Sequence, residues 1–337
     1  MIHYFCWQIF GRLQVVSNSN YFIFFIMSLT KRFLVVFLIG VMTTGCALRE
    51  KKETDNASNT PAKPKNFERV KPPVLLTDPQ ALAGYMITHF WDKFDFRDTM
   101  YCHTENTEQA FVDFIVLFPY VSGSKIDEGV KILLDSAEVD EVMYNYFCVL
   151  ADRYLYDPNS PYRNDGYYIP FLEHIVASLK VNEVSKVRPK YVLQLAYRNR
   201  PGAKAENFTY TTASGTTGRL YNLSARNILL MFYNPDCKEC KQTTDEIKRS
   251  TAITSAISSG RLKVLAVYPD ENLDIWRSHL KDIPSSWING YDKSLIIKNE
   301  QVYDLKAIPT LFLLDENKHV LLKDTSVGHI HEFLEKN

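Results

Sequence analysis

The sequence has no excess of charge of either sign: 39 Lys and Arg balance 39 Asp and Glu in 337 residues, for a formal net charge of zero. A nucleic-acid binder usually shows a basic excess or a basic stripe, so no nucleic acid is expected as a partner. Cysteine is sparse, with six in the chain, which excludes a disulfide scaffold at this length. Long apolar runs are missing too. The run Phe33–Met42 is well short of the roughly 20 residues of a membrane-spanning helix. What is present is ordinary globular material: 46% hydrophobic, 23% charged and 13% aromatic residues. That composition excludes disorder as the main state, and the length suits about two domains.

Lys31-Arg32, then Phe33–Met42, then Thr43-Thr44-Gly45-Cys46 is signal-peptide architecture: a basic step, a short apolar run and small residues at the end. The small residues ending in cysteine resemble the lipobox of bacterial lipoproteins. That resemblance implies a signal peptide over 1–45, cleavage before Cys46, and attachment of Cys46 to a lipid bilayer through acylation. One position departs: Thr43 stands where Leu is usual. Met27 makes a compact n-region with Lys31 and Arg32, so it is the expected start and residues 1–26 an upstream extension. An uncleaved anchor that included Tyr21–Met27 would place Lys31 and Arg32 inside the bilayer at a cost. Residues 46–73, rich in charge, Ser, Asn and Pro without apolar periodicity, read as a flexible tether. Ala47 is not Asp, so the inner-membrane retention signal of some bacteria is absent. The expected location is the cell envelope, a lipoprotein facing the periplasm, with the outer membrane favoured over the inner.

Residues 74–202 read as an all-α helical domain of unknown function. Thr77-Asp78-Pro79-Gln80 offers a cap with proline in the first turn. Phe111, Phe114, Ile115 and Phe118 recur at helical spacing, as do Val130, Leu133, Leu134 and Ala137, and five to seven helices are expected. Cys102-His103 has no second pair at ligand spacing. Cys102 and Cys148 are open to three readings: core thiols, a structural disulfide or a redox role. The turn-rich stretch Asp157–Asn164 is either a rigid connector or a partner-binding surface.

The periodicity changes over 203–337. Asn207–Thr212 and Thr217–Tyr221 read as a hairpin. Asn227–Tyr233 is a continuous apolar run of the kind found in buried strands. Asn234-Pro235-Asp236-Cys237-Lys238-Glu239-Cys240 leads into a helix-compatible stretch, Lys241–Ser250. A second buried strand, Arg261–Tyr268, and a helix, Asn272–Leu280, follow. Lys306-Ala307-Ile308-Pro309-Thr310 then enters a hairpin and a last helix, Ser326–Leu334. A lone CxxC could be half of a zinc ribbon, but no second CxxC or His pair exists.

Strand, CxxC, helix, strand, helix, then Ile-Pro-Thr before a hairpin and helix: this order resembles the thioredoxin fold. The expected fold class is an α/β thioredoxin-like C-terminal domain, a central mixed sheet flanked by helices, preceded by the helical domain. A cysteine at a helix N-terminus meets free backbone N–H groups and the positive end of the dipole, which favour thiolate. Cys237 is then the attacking thiol and Cys240 the resolving one. The resemblance implies that Pro309 is cis against the CxxC and that the backbone of Ile308 pairs with substrate. It implies no cofactor beyond the redox-active cysteine pair. Its implied partners are exported proteins with thiols or disulfides and a membrane electron-relay or oxidant protein.

Departures limit the resemblance. Asp236 stands where thioredoxin has Trp, and Met231 where it has a buried Asp. Lys238-Glu239 replaces Gly-Pro. The acidic neighbours argue against a strong oxidant, so reductase or isomerase is the preferred direction. Two rivals stand beside the oxidoreductase. One is a binding lipoprotein whose helical domain recognises a partner while the C-terminal module is scaffold. The other is capture of copper(I) by Cys237 and Cys240.

Overall fold

The structure, a computed structural model, describes residues 66–337. The expected signal peptide, Cys46 and most of the expected tether lie outside the described residues. The end of that tether is packed rather than solvated. The Phe67 ring stacks on Trp91 at 5.8 Å and meets Phe94 edge-on at 4.9 Å. Arg69 pairs with Asp113 at 3.0 Å, and Val70 is buried. An aromatic ring packed against other aromatics outweighs the entropy of a few ordered residues, and the partly buried Phe67 shows the packed chain present by that residue, ahead of the expected 74.

Among the described residues, six α-helices build the first domain. Helix α1, Pro79–His89, starts where the Asp78 carboxylate accepts from the Ala81 N–H at 2.7 Å, with Pro79 in the first turn. It is followed by α2 (Glu105–Ile115), α3 (Gly123–Ala137), α4 (Glu141–Ala151), α5 (Asp165–Ala177) and α6 (Val187–Tyr197). Their apolar stripes meet in one core, where Phe111, Phe114, Leu133, Leu134, Phe147 and Phe171 are fully buried. Gly129 lets α1 and α3 approach closely: a Cβ there would lie 2.4 Å from Cγ2 of Ile87.

The second domain is a seven-stranded mixed sheet with helices on its faces. Its elements are β1 (Thr209–Thr212), β2 (Thr217–Arg219), β3 (Asn227–Phe232), α7 (Lys238–Arg249), α8 (Thr251–Ser258), β4 (Leu262–Tyr268), α9 (Leu273–Ser278), β5 (Ile288–Tyr291), α10 (Ile296–Asn299), β6 (Thr310–Asp315), β7 (Val320–Lys323) and α11 (Val327–Lys336). The strand order is β2-β1-β5-β4-β3-β6-β7. Strand β3 runs parallel to β4 and antiparallel to β6. It lies inside the sheet, between β4 and β6, with both faces covered, so every residue is buried and the apolar run does not alternate. Leu229 and Met231 face Ile247, Ile253 and Ile330, while Ile228, Leu230 and Phe232 face Phe208, Tyr303 and Phe312. The helix expected to end at Ser250 does so, but the Ser250 hydroxyl also accepts from the Ile253 N–H and starts α8.

Among the described residues, no helix is long and apolar enough to cross a membrane.

Candidate functional site

Strand β3 ends in a tight turn that delivers Cys237 to the start of α7. The Cys237 N–H donates to the Asn234 carbonyl at 3.1 Å, and the Asp236 N–H donates to the Asn234 side chain at 3.1 Å. Cys237 is the N-cap residue, and its Sγ accepts the Cys240 N–H at 3.2 Å. A helix leaves its first N–H groups without backbone partners; here one of them is turned onto the sulfur. Negative charge arising on Sγ therefore meets an oriented donor and the dipole end. Two acceptors stand ready for the S–H of Cys237: the Ile308 carbonyl at 3.5 Å and Glu239 Oε2 at 3.7 Å.

Cys240 sits one turn in and is 2% exposed. Burial pushes its thiol well above the usual range, and its hydrogen bond with Cys237 adds to that. Its Sγ also accepts the Asn234 N–H at 3.5 Å. Both sulfurs are free thiols. The pair is therefore unequal: a half-buried sulfur at the helix mouth, and a buried protonated one behind it.

The Ile308–Pro309 peptide is cis, as the resemblance implied. It immediately precedes β6, whose Thr310 is in register with Phe232 at the end of β3. That pairing brings Ile308 to the sulfur. The structure thus gathers Cys237, Cys240, Ile308 and Pro309 at one end of the sheet; Cys46 lies outside the described residues.

A solved thioredoxin-like protein from Bacteroides caccae is 46% identical to this chain, covers 81% of it and 99% of its own length, and superposes with a TM-score of 0.79. The chain belongs to the thioredoxin-like family. A family described as thioredoxin-like matches residues 226–320, and a domain of unknown function, DUF5106, matches 44–199. The solved C-terminal domain of an uncharacterized Bacteroides fragilis protein is 49% identical over 41% of this chain and 98% of its own, with a TM-score of 0.40. A conserved B. fragilis protein of unknown function is 39% identical over 40% and 98%, with a TM-score of 0.39. No curated protein matches.

In this thioredoxin-like protein the unusual residues have definite surroundings. Asp236 Oδ1 lies 3.8 Å from Nε2 of His279, so its charge has a cationic partner whenever that imidazole is protonated. Met231 is fully buried, in register with Ala266 and Leu311, and offers no proton acceptor. Tyr233, two residues on, donates to Asn289 Oδ1 at 2.8 Å; burial pushes its hydroxyl up to about 12 and keeps it neutral.

Cys102 and Cys148 are both free thiols, partly buried against the helical core, with Cys102 Sγ 3.7 Å from Met143 Sδ, which fits the core-thiol reading. Burial pushes the Cys148 thiol up to about 12. Among the described residues, no group of three or more His, Cys, Asp or Glu side chains is placed to hold a metal. Loop 157–164 is tied to the sheet domain: Arg163 pairs with Asp324 at 2.8 Å. Beside it lies a group that sequence reasoning missed. Asp165 is bridged to Lys306, 141 positions away, and no local pattern marks two ordinary charged residues as partners at that separation.

Proposed function

We propose that the protein is a thiol–disulfide oxidoreductase of the bacterial cell envelope, exchanging disulfides with exported proteins in the reductase or isomerase direction. The observation that carries this reading is the unequal pair: Cys237 Sγ at the open end of α7, 3.5 Å from the Ile308 carbonyl, with Cys240 buried behind it.

The chemistry balances without a cofactor. The Cys237 thiolate attacks one sulfur of a substrate disulfide; that S–S bond breaks, a mixed disulfide forms, and the second substrate sulfur leaves as thiolate and takes a proton. Cys240 then loses its proton and attacks Cys237 Sγ, closing the Cys237–Cys240 disulfide and releasing the first substrate sulfur. Two electrons pass to the substrate, and a reduced membrane relay returns them. Because burial holds the Cys240 proton tightly and Met231 offers no base, the resolving attack needs water or another base to take that proton. Ile308 and Pro309 form the face on which the substrate backbone docks. Acylated Cys46 anchors the chain to the bilayer, on the periplasmic side of the outer membrane.

The test is Cys240→Ser, which leaves the attacking thiol and removes the resolving one. Mixed disulfides should accumulate on Cys237 and vanish in the Cys237→Ser, Cys240→Ser double variant. If none accumulates, the enzyme reading is wrong and a binding lipoprotein replaces it.

A further inference from the structure

Buried charges gather where the helical domain meets the segment that runs into Pro309. Asp165 opens α5 and is 8% exposed. Its two carboxylate oxygens lie 2.8 Å from Nζ of Lys306 and 2.8 Å from Nζ of Lys323. The Lys306 side chain is 5% exposed, pairs also with Asp304 at 2.9 Å, and places its ammonium 4.6 Å from the centre of the Tyr156 ring. The chain just after α6 holds the preceding residues. Arg198 donates to the carbonyls of Glu300 and Gln301 at 2.7 and 2.8 Å, and Asn199 donates to that of Val302 at 2.7 Å.

The helical domain thus grips 300–306 at several points, and the last grip falls two residues before Ile308. A loop beside a reactive sulfur is ordinarily among the least stable parts of a fold. A buried ion pair adds little net stability over an apolar contact of the same size, and breaking it by removing one partner is costly. What it supplies in this position is geometry, since a carboxylate between two ammonium groups fixes where the loop backbone can lie. The α5 N-terminus also favours negative charge at Asp165, so the domain is shaped to present that carboxylate.

We propose that Asp165 is a positioning residue: through Lys306 it holds Ile308 and Pro309 in place against Cys237, which makes the helical domain a brace for the substrate-docking segment. This rests on the thiol–disulfide exchange proposed above.

The experiment uses the full chain with two variants, Asp165→Asn and Lys306→Met. The second leaves Asp165 paired with Lys323 and breaks the bridge from the loop side, where Asp304 also loses its partner. In either variant amide hydrogen exchange over 304–311 should quicken at least about tenfold more than exchange in β3, which follows the global loss of stability. KM for a peptide disulfide should rise about tenfold with kcat changed less than about twofold, and Asp165→Glu should recover part of the loss. Unchanged exchange over 304–311 in both variants overturns the proposal. So does an equal rise in β3, which assigns Asp165 to general stability, or a loss of kcat at constant KM. Failure of the oxidoreductase reading would look different: wild-type protein would reduce no peptide disulfide, while the exchange pattern would still decide whether the bridge holds the loop.

Discussion

The carboxylate of Asp165 lies 2.8 Å from Nζ of Lys306, across 141 residues of sequence, and joins the helical domain to the loop before Pro309. Burial favours the protonated form of Asp165, but the charges of Lys323 and Lys306 outweigh it, and its pKa ends below the usual carboxylate value. The bridge is thus a source of stability that depends on ionisation.

A group with a depressed folded pKa stabilises above its unfolded pKa, about 3.9 for Asp, and loses that contribution as pH falls through the folded value. Asp165→Asn should therefore cost about 3–5 kcal/mol at neutral pH, because two buried lysines lose a shared partner. Its stability should also fall less steeply than wild type on acidification. Arg163, Asp304 and Tyr156 remain in both proteins. So does Asp324, whose carboxyl burial pushes up despite Arg163; its contribution has the opposite sign, and because the charge of Asp165 adds to that rise, Asp165→Asn diminishes it and narrows the difference between the two proteins. Urea unfolding followed by circular dichroism from pH 7 down to about pH 3 reads this, and parallel curves would contradict it.

Cys240 titrates at the other end of the scale. Its folded pKa is raised by burial. The stability it contributes is fully present below the unfolded thiol's pKa, about 8.5, and is lost as pH rises through the folded value. The reduced protein should lose more stability than the oxidised one between about pH 8 and pH 10. Cys148 and the buried tyrosines titrate in both forms and cancel. Thermal unfolding of each form at the two pH values checks this. Equal losses would mean that Cys240 is not held protonated in the fold.

Alkylation should distinguish the thiols. Burial pushes Cys102, Cys148 and Cys240 upward, and thiolate is the reactive species. Brief treatment of the reduced protein with iodoacetamide at neutral pH, followed by peptide mapping, should label Cys237 ahead of those three. Faster labelling of Cys102 or Cys148 would contradict the site's polarity.

Gly129→Ala sets two effects against each other. Alanine gains about 1 kcal/mol of helix propensity over glycine. Its Cβ, however, would lie 2.4 Å from Cγ2 and 3.1 Å from the backbone oxygen of Ile87. The second contact is with backbone, so α1 must shift, and overpacking of this kind costs about 1–3 kcal/mol. Net destabilisation is expected in chemical unfolding; a gain would mean that α1 moves away freely.

Local patterns made part of this structure readable. Two thiols at one-turn spacing after an unbroken apolar strand placed Cys237 and Cys240 without any knowledge of long-range contacts, and Pro309 was added by what the thioredoxin resemblance implies. Asp78 before Pro79 placed the start of α1 by local pattern. Strand β5 was not readable, because Ile288-Asn289-Gly290-Tyr291 is short, polar in part and buried fully only at Gly290; its pairing with β4 is what makes it a strand. Helix α8 was missed because Ser250 serves as both stop and start. Asp165 and Lys306 look like surface charges in sequence, and their burial is a property of two domains meeting.

The most direct test is the reduction potential of the Cys237–Cys240 pair, titrated on the purified protein in thiol redox buffers. The prediction is one reversible two-electron couple near thioredoxin's value of about −270 mV, fitting a reductase fed by a membrane relay. A value near −120 mV would contradict the direction and make the protein a disulfide donor. The absence of any reversible couple would contradict the account itself.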